Sequence, residues 1–147
     1  MRRYYPQMLV FWQFGIIGVM TLLALRSPLF SWSGVILLLT GVTIGLWAIR
    51  HNRPDNFHII PELKEGCCLV TSGIYRYIRH PMYTSVMIMM FGVVLLSRES
   101  IVSWLLWVAL IFVLYLKAIR EEQLWSAHDE AYRTYREKTR YFIPYIL

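Results

Sequence analysis

Four stretches without a charged residue constrain this chain more than any other feature. Met8–Leu25 and Trp32–Ile49 are 18 residues long; Met82–Ser97 and Ile101–Leu116 are 16. A helix needs roughly 17–25 apolar residues to cross the hydrocarbon core of a bilayer. The first two runs meet that length, and the last two meet it by drawing on polar neighbours. Core helices of a soluble protein carry a polar stripe at helical spacing, and neither Ser85–Leu96 nor Trp104–Leu114 has one. Helices that are apolar all round belong in lipid, where each backbone group is satisfied inside the segment. Composition agrees: 57% of residues are hydrophobic and 16% charged, against about 45–50% and about 25% in soluble domains. At 147 residues the chain has room for a single domain, 1–147. The predicted fold is all-α: an integral membrane bundle of about four transmembrane helices, followed by a cytoplasmic C-terminal amphipathic helix.

The basic residues orient this bundle. Of 15 Lys and Arg, thirteen fall before the first run, between the second and third, or after the fourth. Only Arg26 and Arg98 lie in the other two connections. Cytoplasmic loops carry the Lys/Arg excess, so a multi-pass protein with both termini cytoplasmic is expected, as in a bacterial inner membrane. Arg2 and Arg3 precede the first run as in a signal peptide. No small-residue cleavage pattern follows at Leu25–Pro28, so the run reads as a retained helix. The net charge of +6 fits an anionic lipid surface and gives no reason to invoke nucleic acid. Cys67 and Cys68 are adjacent and have no spaced partners, which suits neither a disulfide nor a metal site.

The turns at Arg26–Ser31 and Arg98–Ser100 are too short to host chemistry, so a polar site must come from Arg50–Pro81 and Lys117–Leu147. Arg50–Gly66, with Pro54, Pro61 and Gly66, reads as irregular loop. Leu69–Tyr75 reads as partly extended with a turn near Ser72-Gly73. Pro81 suits the first turn of the third helix, where its missing N–H costs nothing. From Lys117 to about Arg136, Leu124, Ala127, Ala131, Tyr132 and Tyr135 recur at helical spacing among charges. That segment is either a surface amphipathic helix or an extension of the fourth span. Gly41 and Gly45 form a Gly-x-x-x-Gly pair suited to close helix packing.

Within the polar stretches, Glu121 and Glu122 follow the fourth apolar run closely. Carboxylates that near the bilayer are costly unless solvated, paired or used. They read either as an interfacial cluster with Arg120 and Lys117 or as a holder for a cationic ligand group. His80 and Tyr83 share a helical face at a helix N-terminus, which also offers N–H groups to an anion. Snorkelling cations and an interfacial aromatic account equally well for Arg79–Tyr83. A carboxylate, helix N–H groups and aromatics together suit a zwitterionic, aromatic cofactor.

Leu69-Val-Thr-Ser-Gly-Ile-Tyr-Arg-Tyr-Ile-Arg-His-Pro-Met-Tyr83 resembles the signature of the isoprenylcysteine carboxyl methyltransferase-like family, itself similar to the phospholipid N-methyltransferases. Arg120-Glu-Glu-Gln-Leu124, Tyr132-x-x-Tyr135 and Arg140–Pro144 resemble that family's C-terminal half, and the resemblance covers roughly residues 34–147. It implies a bundle of transmembrane helices with a pocket for S-adenosylmethionine built from elements 67–85 and 117–144. His80, Pro81, Met82 and Tyr83 would contact the cofactor. Tyr75 and a strand at Cys68, Leu69 and Val70 would line the pocket, and Glu121 would bind the cofactor from the fourth span. Lys117 would stand where the prenylcysteine enzymes place a substrate-contacting basic residue. Lys lacks the bidentate fork of Arg. Ser85 stands where the family often has Gly.

The reaction implied is S-adenosylmethionine-dependent methyl transfer to a hydrophobic or lipid-like acceptor, carboxylate, thiol or amine, at the cytoplasmic membrane face. A carboxylate acceptor needs no general base near neutral pH, whereas a thiol or amine does. Glu122 or His128 are the candidates. Two alternatives stay open: an NADPH-dependent membrane reductase related to the sterol reductases, and a non-catalytic membrane protein retaining the fold. The acceptor and the oligomeric state are not written in the sequence.

Overall fold

Tyr5–Arg26 forms α1, Trp32–His51 α2, Pro81–Leu95 α3, Ile101–His128 α4 and Ala131–Lys138 α5, with a 3₁₀ turn at Gly73–Arg76. The computed structural model describes residues 4–52, 60, 68–98 and 101–144. Of the predicted Arg50–Gly66 loop, Arg50 and His51 instead continue α2, while 53–59 and 61–66 lie outside the described residues, as does Cys67. Three helices, α1, α2 and α4, are long and apolar enough to cross a membrane. Only 22–28% of each apolar window is buried inside the protein, so most of each helix presents Phe11, Leu22, Ile36, Leu46, Leu105, Phe112 and similar side chains outward. That surface is stable only against lipid, and the architecture is an all-α membrane helical bundle.

Local chemistry sets the helix ends. Pro6 and Pro81 open α1 and α3, where a missing N–H is no loss. The Ser31 side chain caps α2, accepting a hydrogen bond from the Gly34 amide at 3.3 Å. Gly73 has φ +58°, and a Cβ there would run into the His51 ring. Only glycine meets both demands, and the turn predicted near Ser72-Gly73 is present.

The first and third connections settle which end is which. Pro28 and Ser97 form an antiparallel bridge: the Leu29 amide donates to the Leu96 carbonyl and the Arg98 amide to the Ser27 carbonyl, each at 2.8 Å. The two short turns therefore share one end of the bundle, and residues 68–80 and 117–144 gather at the other. Ile16 and Met20 of α1, Met90 and Val94 of α3, and Leu110 and Leu114 of α4 form the main core. The α2–α3 seam is closer still. Ser85 Oγ donates to the Gly41 carbonyl at 2.8 Å. A Cβ on Gly45 would lie 2.7 Å from that same Oγ. Gly41 and Gly45 thus make the room that Ser85 fills, as the Gly-x-x-x-Gly spacing anticipates.

The structure alters the sequence reading in three places. α3 has 15 residues, about 22 Å of axial rise, shorter than the about 30 Å hydrocarbon core. The short run at Met82–Ser97 is not lengthened by its neighbours, because His80 and the residues before it bond to the C-terminal segment instead. Second, the helix expected from Lys117 to Arg136 is broken. α4 continues the fourth span to His128, where the Asp129 carboxylate takes the Ala131 amide at 2.8 Å and starts α5 afresh. Third, no strand forms at Cys68–Val70 among the described residues, where the backbone is irregular. The inter-segment backbone pairing here goes to Ile78 and Arg140, a parallel bridge in which Arg140 N donates to Tyr77 O and Arg79 N to Arg140 O.

Candidate functional site

Glu121 lies twenty residues beyond Ile101 on a continuous helix, about 30 Å of rise. This matches the thickness of the hydrocarbon core, so a bilayer-crossing α4 with Ile101 at one boundary carries Glu121 and Glu122 to the other. The short α3 ends at the same level, and its N-terminal residues meet the two carboxylates. His80 Nδ1 lies 3.3 Å from Glu121 Oε2, and His80 Nε2 lies 3.4 Å from Glu122 Oε1. Tyr83, one turn on, donates its hydroxyl to Glu121 Oε1. The His80 and Tyr83 rings are parallel within 8° at 5.6 Å, and Tyr141 stacks on His80 at 5.9 Å. Burial alone would lower the His80 pKa, but the facing Glu121 and Glu122 carboxylates outweigh it and leave the pKa raised. Nε2 is buried without an aligned hydrogen bond.

The two glutamates have different surroundings. Glu122 is buried beside Arg79, whose Nε donates to Glu122 Oε1 at 2.5 Å, with both side chains only 5% exposed. The same guanidinium donates to the carbonyls of Thr139 at 2.5 Å and Arg136 at 3.2 Å. These are carbonyls that a helix end leaves without partners, so Arg79 caps α5 while it neutralises Glu122. It also lies 4.4 Å from the centre of the Tyr141 ring. The Thr84 hydroxyl bonds the Phe142 carbonyl at 2.9 Å, and His80 N donates to Tyr141 O at 3.1 Å. The segment 139–142 is thereby strapped across the start of α3. Glu121 remains 22% exposed, with its oxygens oriented by Tyr83 and His80.

Lys117 sits one turn before Glu121 and is 2% exposed. Its Nζ donates to Gln13 Oε1 of α1 at 2.6 Å and lies 5.1 Å from the Tyr83 ring centre. Tyr75 joins from the 3₁₀ turn; its carbonyl accepts the Tyr135 hydroxyl at 2.7 Å. Burial, helped by the Glu121 charge, pushes the Tyr75 phenol up to about 12. Burial likewise raises Tyr132 and Tyr135 of α5. Tyr132 is the buried ring that stacks on Trp125.

Of the residues singled out from the sequence, the structure brings His80, Tyr83, Lys117, Glu121, Glu122 and Tyr75 together. Pro81 is buried at the start of α3. Met82 packs the other way, against Ala48, Ile74 and Ile78. Leu69 and Val70 are half-buried, Cys68 is exposed, and His128 is exposed at the end of α4. Sequence reasoning gave no role to Gln13, Thr139 or Tyr141, and took Arg79 for a snorkelling cation. Gln13 carried a signal. It is an amide inside an apolar run, on the face defined by the buried Leu9, Ile16 and Met20, and a polar group at such depth wants a partner.

No curated protein matches the chain. Residues 29–132, which carry both glutamates and the whole Arg79–Tyr83 motif, match the family described as phospholipid methyltransferase. That match spans most of the sequence, and the chain belongs to the phospholipid methyltransferase family.

Proposed function

We propose that this membrane protein transfers a methyl group from S-adenosylmethionine to a lipid-like acceptor at the cytoplasmic membrane face. Glu121 carries the reading. It is a partly exposed carboxylate at the hydrocarbon boundary, fixed by the Tyr83 hydroxyl and faced by His80 Nδ1. A carboxylate so oriented suits the cofactor's ammonium. Pro81 has no N–H, and the Tyr83 and Thr84 amides bond the His80 carbonyl. That leaves the Met82 amide in the first turn of α3 for a carboxylate. The His80, Tyr83 and Tyr75 rings suit the base and the sulfonium, with Cys68, Leu69 and Val70 on the same approach. When bound, S-adenosylmethionine supplies an electrophilic methyl carbon.

This chain's residues chiefly position the reactants. Lys117, buried with its Nζ on Gln13, is the residue this reading assigns to the acceptor. Glu122, committed to Arg79, acts as a positioning residue for His80. The acceptor enters sideways from the bilayer and presents a carboxylate, thiol or amine; the family's description favours a phospholipid. The family match also favours methyl transfer over the reductase reading. The two short turns share the opposite end of the bundle, and nine of the described basic residues lie at the site's end, which supports a multi-pass topology with cytoplasmic termini.

Two measurements test the proposal. Calorimetry on the purified protein should detect S-adenosylhomocysteine binding that Glu121→Gln and His80→Ala abolish or weaken by at least about tenfold. Native membranes given methyl-labelled cofactor should label an organic-soluble product. No binding by the wild-type protein, or equal binding by all three proteins, would overturn the reading.

A further inference from the structure

Helix α1 lies outside the family-matched region, since the match begins at residue 29. Yet one of its side chains reaches the site. Gln13 is buried on the inner face of α1 and accepts a hydrogen bond from Lys117 Nζ at 2.6 Å. Lys117 and Glu121 are four residues apart on α4, the spacing at which a cation and a carboxylate on a helix pair directly. Here, instead, the Lys117 ammonium is directed to α1 and over the Tyr83 ring, 5.1 Å from its centre. Glu121 is directed to Tyr83 and His80. The chain of contacts runs Gln13, Lys117, Tyr83, Glu121, from the lipid-embedded α1 to the carboxylate that receives the ligand.

We infer that Gln13 is a positioning residue for the cofactor site: by holding the Lys117 ammonium toward α1, it keeps the Glu121 carboxylate open for the cationic group of a ligand. The inference rests on the proposed cofactor role of Glu121. Without the Gln13 carbonyl, a buried ammonium loses a hydrogen bond it must replace. Glu121 is the anion within one turn. A Lys117–Glu121 pair would occupy the oxygens that the ligand's ammonium requires, and would draw Lys117 off the face of Tyr83. A Gln confers this because its oxygen accepts while the side chain adds no charge of its own to the bilayer interior. α1 is then a part of the site, and the family-matched segment is incomplete without it.

The test is a double-mutant comparison on the full chain in detergent, with S-adenosylhomocysteine as the calorimetric probe and far-UV circular dichroism as the check on folding. Gln13→Leu should weaken binding by about tenfold. Adding Lys117→Met to Gln13→Leu should restore affinity to within about twofold of wild type, because no ammonium is left to take Glu121. Gln13→Glu, which can hold Lys117 as an ion pair, should bind like wild type. Wild-type binding with Gln13→Leu unaffected overturns the inference alone. So does a double variant no better than Gln13→Leu, or, where Gln13→Leu fails to fold, a Gln13→Glu chain that folds yet binds at least about tenfold more weakly than wild type. Absent wild-type binding overturns the cofactor reading and this inference with it.

Discussion

Replacing Arg79 by Met should release the C-terminal strap. The guanidinium donates to Glu122 Oε1, to the Thr139 carbonyl and hydroxyl, and to the Arg136 carbonyl. With both charged side chains 5% exposed, solvent screens the pair little. Removing one partner of a buried ion pair costs about 3–5 kcal/mol, chiefly because the other charge is stranded. Each carbonyl that loses its donor adds about 1–3 kcal/mol if it stays buried, but opening of the strap lets water reach them. The ion-pair cost therefore sets the scale. At about 1.4 kcal/mol per factor of ten, the opened fraction should rise about 10²–10⁴-fold. Trypsin reads this directly, because Arg133, Arg136, Lys138 and Arg140 all lie in α5 or the strap, and cleavage follows the open population when reclosing is fast. Arg79→Met should be cut there far faster than wild type, with the transmembrane part intact. The double variant Arg79→Met/Glu122→Leu should recover much of the protection, since no charge is left stranded, though not all of it, since the α5 carbonyls remain uncapped. Wild-type trypsin resistance in Arg79→Met, or a double variant cut faster than the single, would refute the reasoning.

Two further outcomes follow from the same geometry. His80 has its pKa raised above the ordinary value of about 6.5, because the Glu121 and Glu122 carboxylates outweigh burial. A group whose folded pKa is raised contributes stability that is complete below the unfolded value and is lost as pH rises through the folded one. Thermal unfolding in detergent should therefore show stability falling above about pH 6.5, and His80→Gln should flatten that fall; an unchanged slope would count against the carboxylate sandwich. At the α2–α3 seam, Gly45→Ala places a Cβ 2.7 Å from Ser85 Oγ, an overpacking worth about 1–3 kcal/mol. The midpoint should drop in Gly45→Ala and recover in Gly45→Ala/Ser85→Gly, and additive losses would show that the contact is not where the strain arises.

Much of the site was legible in the sequence because its residues lie in two short motifs, each next to an apolar run. His80 and Tyr83 share a face by their spacing alone, and Glu121 is exceptional simply for being a carboxylate at a membrane boundary. The family resemblance assigned Glu121 to the cofactor and offered Glu122 as a general base, but the pairing of Glu122 with Arg79 was not legible. Neighbours in sequence, the two glutamates point to different partners once α4 is packed. Arg79 decides which carboxylate is buried, and no local pattern separates a capping arginine from a snorkelling one. The break at Asp129 was missed because helical spacing continues through it, while a single side-chain bond to the Ala131 amide restarts the helix.

The sequence by itself determined the solvent and the apolar helices. Charge-free runs longer than any soluble core helix requires must meet lipid, and the pattern of basic residues groups the polar segments at one end. Those are properties of composition along the chain, and they hold whatever the packing. Only the tertiary structure decided which polar groups meet across it: Gln13 with Lys117, 104 residues apart, and Arg79 with Thr139, 60 apart. Such pairs form because the bundle brings distant segments into an interior where an unpaired polar group is too costly to leave. The identity of the partner is then set by geometry, which no local sequence pattern encodes.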